Sequence, residues 1–363
     1  MHIGLIIYGD LDTISGGYLY DRKLVEHLRA RGDRVEVISI AWRNYLRHLG
    51  DNFSASLLER LTNLQLDVLL QDELNHPSLF LINRRLRTRC AYPLVSIVHH
   101  LRSSELRPAW QNRLYSCLER RYLSSVDAFI FNSQTTRRAV EHLLQKPTRG
   151  IVAYPSGNRL LPSLTVEEIQ KRALRPGALN ILFLGNVIPR KGLHLLLEAL
   201  ERMPKQSWQL TVIGSTHVDP DYTRRLMSQA ARREILERVD FTGAVSDDKL
   251  VAALANHHLL VVPSSYEGYG IVYLEGMGFG LPAIGTQSGA AGEIITHGRD
   301  GFLIPPGDAA QLAAFLQELA YDRQRLQAMS LSARKRYDRQ PTWEQSMQRV
   351  RAFLTSIISS QPA

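Results

Sequence analysis

Residues 264–280, Ser-Ser-Tyr-Glu-Gly-Tyr-Gly-Ile-Val-Tyr-Leu-Glu-Gly-Met-Gly-Phe-Gly, lie between two short apolar runs at 258–262 and 281–284. Runs of that length and composition read as buried strands, so strand, loop and helix follow in that order and the region is committed to an α/β layer. A helix beginning near Gly270 points its free N–H groups and the positive end of its dipole out of the mouth of the sheet, where an anion such as a diphosphate is favoured. Glu267 stands just before that terminus, and Glu275 about one turn inside it, on the Ile271 side. A carboxylate accepts two hydrogen bonds at once and suits a sugar diol. Two carboxylates flanking one anion site describe a ligand with hydroxyls at both ends and a diphosphate between them, which is the layout of a nucleotide-sugar.

Glutamates eight positions apart occur by chance in most chains, and the pair gains meaning from its setting. That setting, with Gly-Tyr-Gly after the first Glu and Gly-Met-Gly after the second, resembles the signature of retaining glycosyltransferase family 4, whose members have the GT-B fold. The resemblance implies an α/β chain of two Rossmann-like domains whose parallel sheets face each other across a cleft. It implies that Glu267 contacts the transferred hexose and Glu275 the ribose, with Gly268, Tyr269, Gly270 and Ile271 on the donor. It covers nearly the whole chain, in most detail from 241 to 305 and in least from 42 to 89, where acceptor choice would reside.

A chain of 363 residues with 44% hydrophobic residues can fill two cores. The opening residues, Met-His-Ile-Gly-Leu-Ile-Ile-Tyr, read as a strand and not as a signal peptide, and no run reaches the ~18 apolar residues of a membrane span. Cys90 and Cys117 lack metal-ligand spacing, so disulfides and zinc are not expected and a cytoplasmic location is. The net charge of +9 is uneven: residues 1–174 hold 24 Lys/Arg against 17 Asp/Glu, and residues 175–363 hold 20 against 18. The excess sits on the first half, where it can attract anionic lipid, nucleic acid or an acidic substrate, or be solvated surface.

Strand signals at 3–8, 34–40, 67–70, 94–98, 128–131 and 151–153 alternate with helical stretches, the pattern of a doubly wound parallel sheet. Ligands of such sheets sit beyond the carboxyl ends of the strands. That draws attention to the loop 9–17, whose Ser15-Gly16-Gly17 opens a helix stopped by Gly32, and to His99-His100 after the strand 93–98. Alone, a Gly pair is a turn, and a single His is more often packed or solvated than functional. The resemblance assigns Gly16 and Gly17 to a loop whose amides approach the donor diphosphate, and His99 to the transferred sugar or the acceptor; the role of His100 is open. Two basic stretches, 41–49 with Trp42, Arg43, Tyr45 and Arg47, and 84–89 with four arginines, fit a peripheral contact with an anionic membrane. They fit equally a loop lining the acceptor side and a solvated helix end.

Tyr154-Pro-Ser-Gly-Asn158 resembles the family's turn at the end of the first domain, and 159–177 reads as a linker. The expected division is 1–174 for an acceptor-side domain, 175–340 for a nucleotide-sugar-binding domain, and 341–363 for a helix crossing back to the first. A strand at 180–184 leads to Gly185-Asn186 and then to Arg190-Lys191-Gly192 at a helix start, where cations can neutralise a leaving diphosphate. The family has an Arg after the strand-end Gly and a Lys before the next Gly. Lys191 matches the Lys; Asn186 occupies the Arg position, which leaves Arg190 to supply that charge. Asp10/Asp12 and Asp219/Asp221 have the Asp-x-Asp spacing of metal-dependent transferases. The first lies in a loop already accounted for and the second at a Pro220 turn, so no metal is expected.

The expected function is retaining transfer of a hexose from a nucleotide-sugar to an acceptor hydroxyl on a lipid, saccharide or small molecule, with no cofactor beyond the donor. Glu267, His99 and Lys191 are the expected catalytic residues. The alternatives are a non-catalytic nucleotide-sugar-binding subunit and a GT-B sugar-nucleotide epimerase. No nucleic-acid partner is expected, since no recognised module occurs and the aromatics are not clustered with the arginine runs.

Overall fold

The computed structural model describes residues 1–360, which form two units: 1–155 together with the terminal helix Trp343–Ser359, and 156–340. In the first unit, β1 (His2–Tyr8), β2 (Arg34–Ile40), β3 (Val68–Asp72), β4 (Leu94–Val98), β5 (Ala128–Phe131) and β6 (Gly150–Val152) pair in the order β2-β1-β3-β4-β5-β6, every pair parallel. In the second, β7 (Leu179–Leu184), β8 (Trp208–Ile213), β9 (Val239–Gly243), β10 (Leu259–Val261), β11 (Ala283–Thr286) and β12 (Gly301–Ile304) pair in the order β12-β11-β10-β7-β8-β9, again all parallel. Parallel strands covered by helices on both faces must be apolar on both, and β3, β4 and β5 are buried at every position.

Strand order reverses between β1 and β3 in one sheet and between β7 and β10 in the other. At such a point neighbouring connections leave on opposite faces and open a crevice beyond the carboxyl ends. The residues that follow β1, β3, β7 and β10 are therefore the ones the fold places at a crevice.

Most elements expected from the sequence are present within a residue or two. The stretch 159–177 differs: it contains a helix, Val166–Ala173, started by a Thr165–Glu168 capping box and packed on the helix Arg323–Asp338 of its own unit. Apolar Ile169 and Ala173 give that helix a buried side, a signal outweighed in the sequence by the flanking prolines. The terminal helix is held to the first unit by Arg351 Nε on Asp33 at 2.7 Å, His27 Nδ1 against Glu344 at 3.0 Å, and an edge contact of Trp343 with Tyr20.

Candidate functional site

In the second unit the loops after β7 and β10 meet. Lys191 Nζ donates to Glu267 Oε2 at 2.6 Å, and Ser264 Oγ donates to the same oxygen at 3.0 Å. The Arg190 guanidinium donates to the Tyr266 carbonyl at 3.0 Å, while the Ser265 N–H donates to the Arg190 carbonyl at 2.8 Å, so the two loops are stapled through main chain. Burial pulls the Glu267 carboxyl upward, but Lys191 and Arg190 beside it, with the hydrogen bonds from Lys191 and Ser264, hold it down at about 2. Two cations against one carboxylate leave a net positive charge at the mouth of the crevice.

The helix of this region runs Ile271–Gly278, immediately after Gly270. Gly270 has φ +98°, and a Cβ there would lie 2.5 Å from the Tyr273 ring, so only glycine lets the chain enter the helix at this angle. The Tyr269 side chain is buried, its hydroxyl accepting from Gln340 Nε2 at 2.6 Å. Gly185 packs its Cα side against the Lys191 stem, and the Asn186 carbonyl accepts from the Ile188 N–H at 2.9 Å.

Glu275 is buried inside that helix and meets a residue the sequence had placed in a linker. Arg159 Nε donates to Glu275 Oε1 at 3.1 Å and its NH1 to Asp247 Oδ1 at 2.6 Å. Burial raises the Glu275 carboxyl above its ordinary value, with Arg159 opposing. Both Arg159 contacts to Glu275 fall on Oε1, which leaves Oε2 as the oxygen for another partner. The Asp-x-Asp pairs have local roles: Asp219 Oδ1 caps its helix by accepting from the Tyr222 N–H, and Asp10 Oδ1 accepts from the Asp12 N–H.

In the first unit His99 follows β4 and is nearly buried. Its Nε2 is 3.3 Å from Asp21 Oδ1, its ring makes an edge contact with Tyr20, and Gly17 lies against its face: a Cβ at Gly17 would come 3.1 Å from His99 Cδ2. Gly16 and Gly17 form the first turn of the helix Gly16–Ala30, capped by Ser15. Burial lowers the His99 imidazolium, but the bond to Asp21 and the charges of Asp21 and Asp72 raise it overall. His100 instead sets its Nε2 3.1 Å from Glu105.

Two buried trios among the described residues have geometry that could hold a cation, Asp21/Asp72/His99 and Glu73/His76/Glu119, each with its donor atoms within 4.8 Å of one another. In the second, both His76 nitrogens are engaged: Nδ1 donates to the Glu73 carbonyl at 3.0 Å and Nε2 accepts from the Tyr45 hydroxyl at 2.8 Å. Burial holds His76 down at about 3, so the ring is neutral, and burial together with Glu119 holds Glu73 well above its ordinary value. Asp21, Asp72, Glu73 and Glu119 are thus the site-region acids that the sequence reading missed. One signal was available for Asp21, which sits on the buried stripe of its helix with Leu24, Val25 and Leu28 at spacings of three, four and seven.

A family model described as glycosyl transferases group 1 matches residues 165–336, all within the second unit. Glycogen synthase of Mycobacterium tuberculosis is 30% identical over 175 residues, covering 48% of this chain and 41% of that protein, so the chain spans less than half the length of that curated relative. Among solved structures, sucrose-phosphate synthase from Thermosynechococcus elongatus matches at TM-score 0.84 and 19% identity over 99% of each chain. Anabaena HepE in complex with UDP-glucose matches at TM-score 0.76 and 21% identity, over 98% of this chain and 100% of that one. At these identities the structural matches speak for the fold alone. With its two six-stranded parallel sheets the chain has the two-domain Rossmann-like GT-B fold, and its second unit is similar over 165–336 to the glycosyl transferases group 1 domain.

Proposed function

We propose that the chain transfers a hexose from a nucleotide-sugar to an acceptor hydroxyl, with retention at the anomeric carbon and without a required metal. The observation that carries this reading is the Lys191–Glu267 pair at the order reversal of the second sheet, beside the start of the helix Ile271–Gly278. Lys191, Arg190 and the helix end supply the positive charge that a departing diphosphate needs. As the diphosphate engages Lys191, Glu267 is released to bind hydroxyls of the hexose. Glu275, oriented by Arg159, binds the ribose diol through Oε2, and His99 meets a hydroxyl of sugar or acceptor. Anabaena HepE has been solved with UDP-glucose, which makes that donor the first to try.

The test is slow hydrolysis of a panel of nucleotide-sugars by the full chain, without acceptor or added metal, with the released sugar followed by NMR. Release of the α-anomer first from an α-linked donor supports the reading; release of the β-anomer first overturns retention. Epimerisation of the donor without cleavage would favour the epimerase. Binding as a thermal shift with no turnover of any donor, with or without an acceptor panel, would favour the silent subunit.

A second observation favours a peripheral membrane contact, although no helix among the described residues is long and apolar enough to cross a membrane. On the helix Ala109–Leu123, Trp110, Arg113, Leu114, Cys117 and Arg121 fall on one face at helical spacing, with Trp110 62% and Leu114 59% exposed. Beside it runs an open groove with Arg84, Arg113, Arg120 and Arg121 in its wall and no acidic residue. Aliphatic and indole side chains flanked by arginines suit an anionic bilayer surface. Co-sedimentation with phosphatidylglycerol vesicles, absent with phosphatidylcholine and lost about tenfold in Trp110→Ser/Arg113→Glu, is expected. Equal binding to neutral vesicles would overturn it.

A further inference from the structure

Asp21 and Asp72 are wholly buried, reach the same point from the helix Gly16–Ala30 and the end of β3, and have no part in the donor chemistry above. Asp21 Oδ1 faces His99 Nε2 at 3.3 Å. The remaining oxygen of each aspartate, Oδ2, is buried without a hydrogen-bond partner, and one carboxylate oxygen of each lies within 4.8 Å of the other and of a His99 nitrogen. Two buried carboxylates this close are costly when both are bare. One proton between them satisfies both.

We propose that Asp21, joined to Asp72 through a shared proton, is the positioning residue for His99: it keeps the ring proton on Nε2 and leaves Nδ1 to meet a substrate hydroxyl. The ring plane is fixed independently, by Gly17 against one face and by the edge of Tyr20. With the tautomer also fixed, His99 offers a single, directed nitrogen rather than two interchangeable ones. The hydroxyl partner rests on the transferase reading above; the state of the ring does not.

The charges around the pair are few. Tyr18 and Tyr20 face it from the helix of Asp21, Tyr8 from β1, Tyr122 from the helix Ala109–Leu123, Glu73 from the turn after β3, His99 from the end of β4, and Arg349 acts from the terminal helix through Tyr20. Burial and the neighbouring Asp21 push the Asp72 carboxyl up to about 7, so the shared proton is held through mildly acid pH and lost near neutrality. Loss of that proton adds a negative charge next to the imidazole and favours its protonated form.

The test is long-range ¹H–¹⁵N NMR of the full chain labelled at its histidine rings, with His99 assigned by the signal lost in His99→Gln. The expected wild-type result is an Nε2–H tautomer in the neutral form and half-protonation above the ordinary value of 6.5. Asp21→Asn should lower the protonation constant about tenfold or more and let the new amide donate to Nε2, shifting the ring toward Nδ1–H. Asp72→Asn should keep the Nε2–H tautomer and remove the step near pH 7. An Nδ1–H tautomer in the wild type, or a midpoint unmoved by Asp21→Asn, would overturn the assignment, as would a stoichiometric divalent ion in the purified chain that Asp21→Asn releases. Should Asp21→Asn fail to fold, the wild-type tautomer and the Asp72→Asn titration decide. Once a donor is known, Asp21→Asn should reduce kcat about tenfold at little-changed donor KM, an effect a merely structural role would not confine to kcat. If no transfer is found for any donor the NMR result still stands or falls alone, so failure of the two readings is told apart.

Discussion

Both units bring carboxylates to the carboxyl ends of a six-stranded parallel sheet, next to the point where strand order reverses, and treat them in opposite ways. In the second unit each has a cation: Glu267 has Lys191 and Glu275 has Arg159. In the first, acids lie against acids, Asp21 by Asp72 and Glu73 by Glu119, and burial with mutual repulsion raises Asp72 and Glu73. The fold supplies the location; the partner decides whether the group is a charge or a held proton. On the proposed reading, the half that accepts an anion is built from charges already separated, and the half that meets an uncharged hydroxyl from acids that hold a proton.

Breaking the ionic half should have the largest effect. Lys191→Ala leaves Glu267 buried opposite no ammonium, and breaking a buried pair from one side costs about 3–5 kcal/mol. A marked drop in the urea midpoint of the second unit is expected, along with loss of transfer. Glu267→Gln keeps the shape and one acceptor, so it should lose transfer at a smaller stability cost. The double variant Lys191→Met/Glu267→Gln should recover part of the stability and none of the transfer, a non-additivity that marks direct coupling. Simple addition of the two stability losses would show that the pair does not act as one.

The contrast is sharpened by pH, because Glu267 and Asp72 titrate with opposite sign. Glu267 is held at about 2 against an ordinary 4.5, so the stability it lends is present above 4.5 and lost as pH falls through 2. Asp72 is held at about 7 against an ordinary 3.8, so it costs nothing below 3.8 and progressively more up to pH 7, where the cost levels off. His99, raised in the fold, acts in the same direction as Asp72, its stabilisation fading as pH rises. Urea unfolding followed by hydrogen exchange, read peptide by peptide from pH ~4 to about 8, should show Asp72→Asn relieving the first unit of a cost that grows with pH, while Glu267→Gln shifts the second by an amount that stays constant over that range. An Asp72→Asn difference that does not grow with pH would contradict the held proton.

The same contrast explains what the sequence could and could not announce. Glu267, Gly270 and the start of the helix at Ile271 are legible because they are local: a strand, a glycine-rich loop and a helix within about twenty residues constrain one another. Lys191 is legible because it carries the same kind of local frame, a strand end followed by a helix start. Arg159 is not, since it reaches Glu275 across 116 positions from a stretch whose prolines read as linker. Asp21 meets His99 across 78 positions, and only sheet order brings the helix after β1 beside the end of β4. Charged residues are ordinarily solvated, so a buried acid is invisible unless its place on an apolar stripe is taken seriously. The basic stretch 41–49 shows the converse. Its Arg43 pairs with Asp51 and its Tyr45 donates to His76, so part of an apparently free amphipathic face is spent inside the unit.

The smallest change with a decisive reading is Gly17→Ala. Gly17 is in the first turn of its helix with no left-handed φ, so alanine meets no backbone strain and gains helix propensity of up to about 1 kcal/mol. Against this stands the 3.1 Å approach of the new methyl to His99 Cδ2, and the ring has little room, with Tyr20 at its edge and Asp21 on Nε2. A shift of a few tenths of an ångström relieves the contact at a cost of similar size, so the net stability change should stay within about 0.5 kcal/mol. Positioning is less forgiving than packing, and such a shift should still lower turnover several-fold and lengthen the bond to Asp21. Unchanged melting with reduced turnover and a lowered His99 midpoint is the expected result. Unchanged melting with unchanged turnover would mean that His99 needs no fixed aim, and would leave the ionic half of the molecule to account for the chemistry by itself.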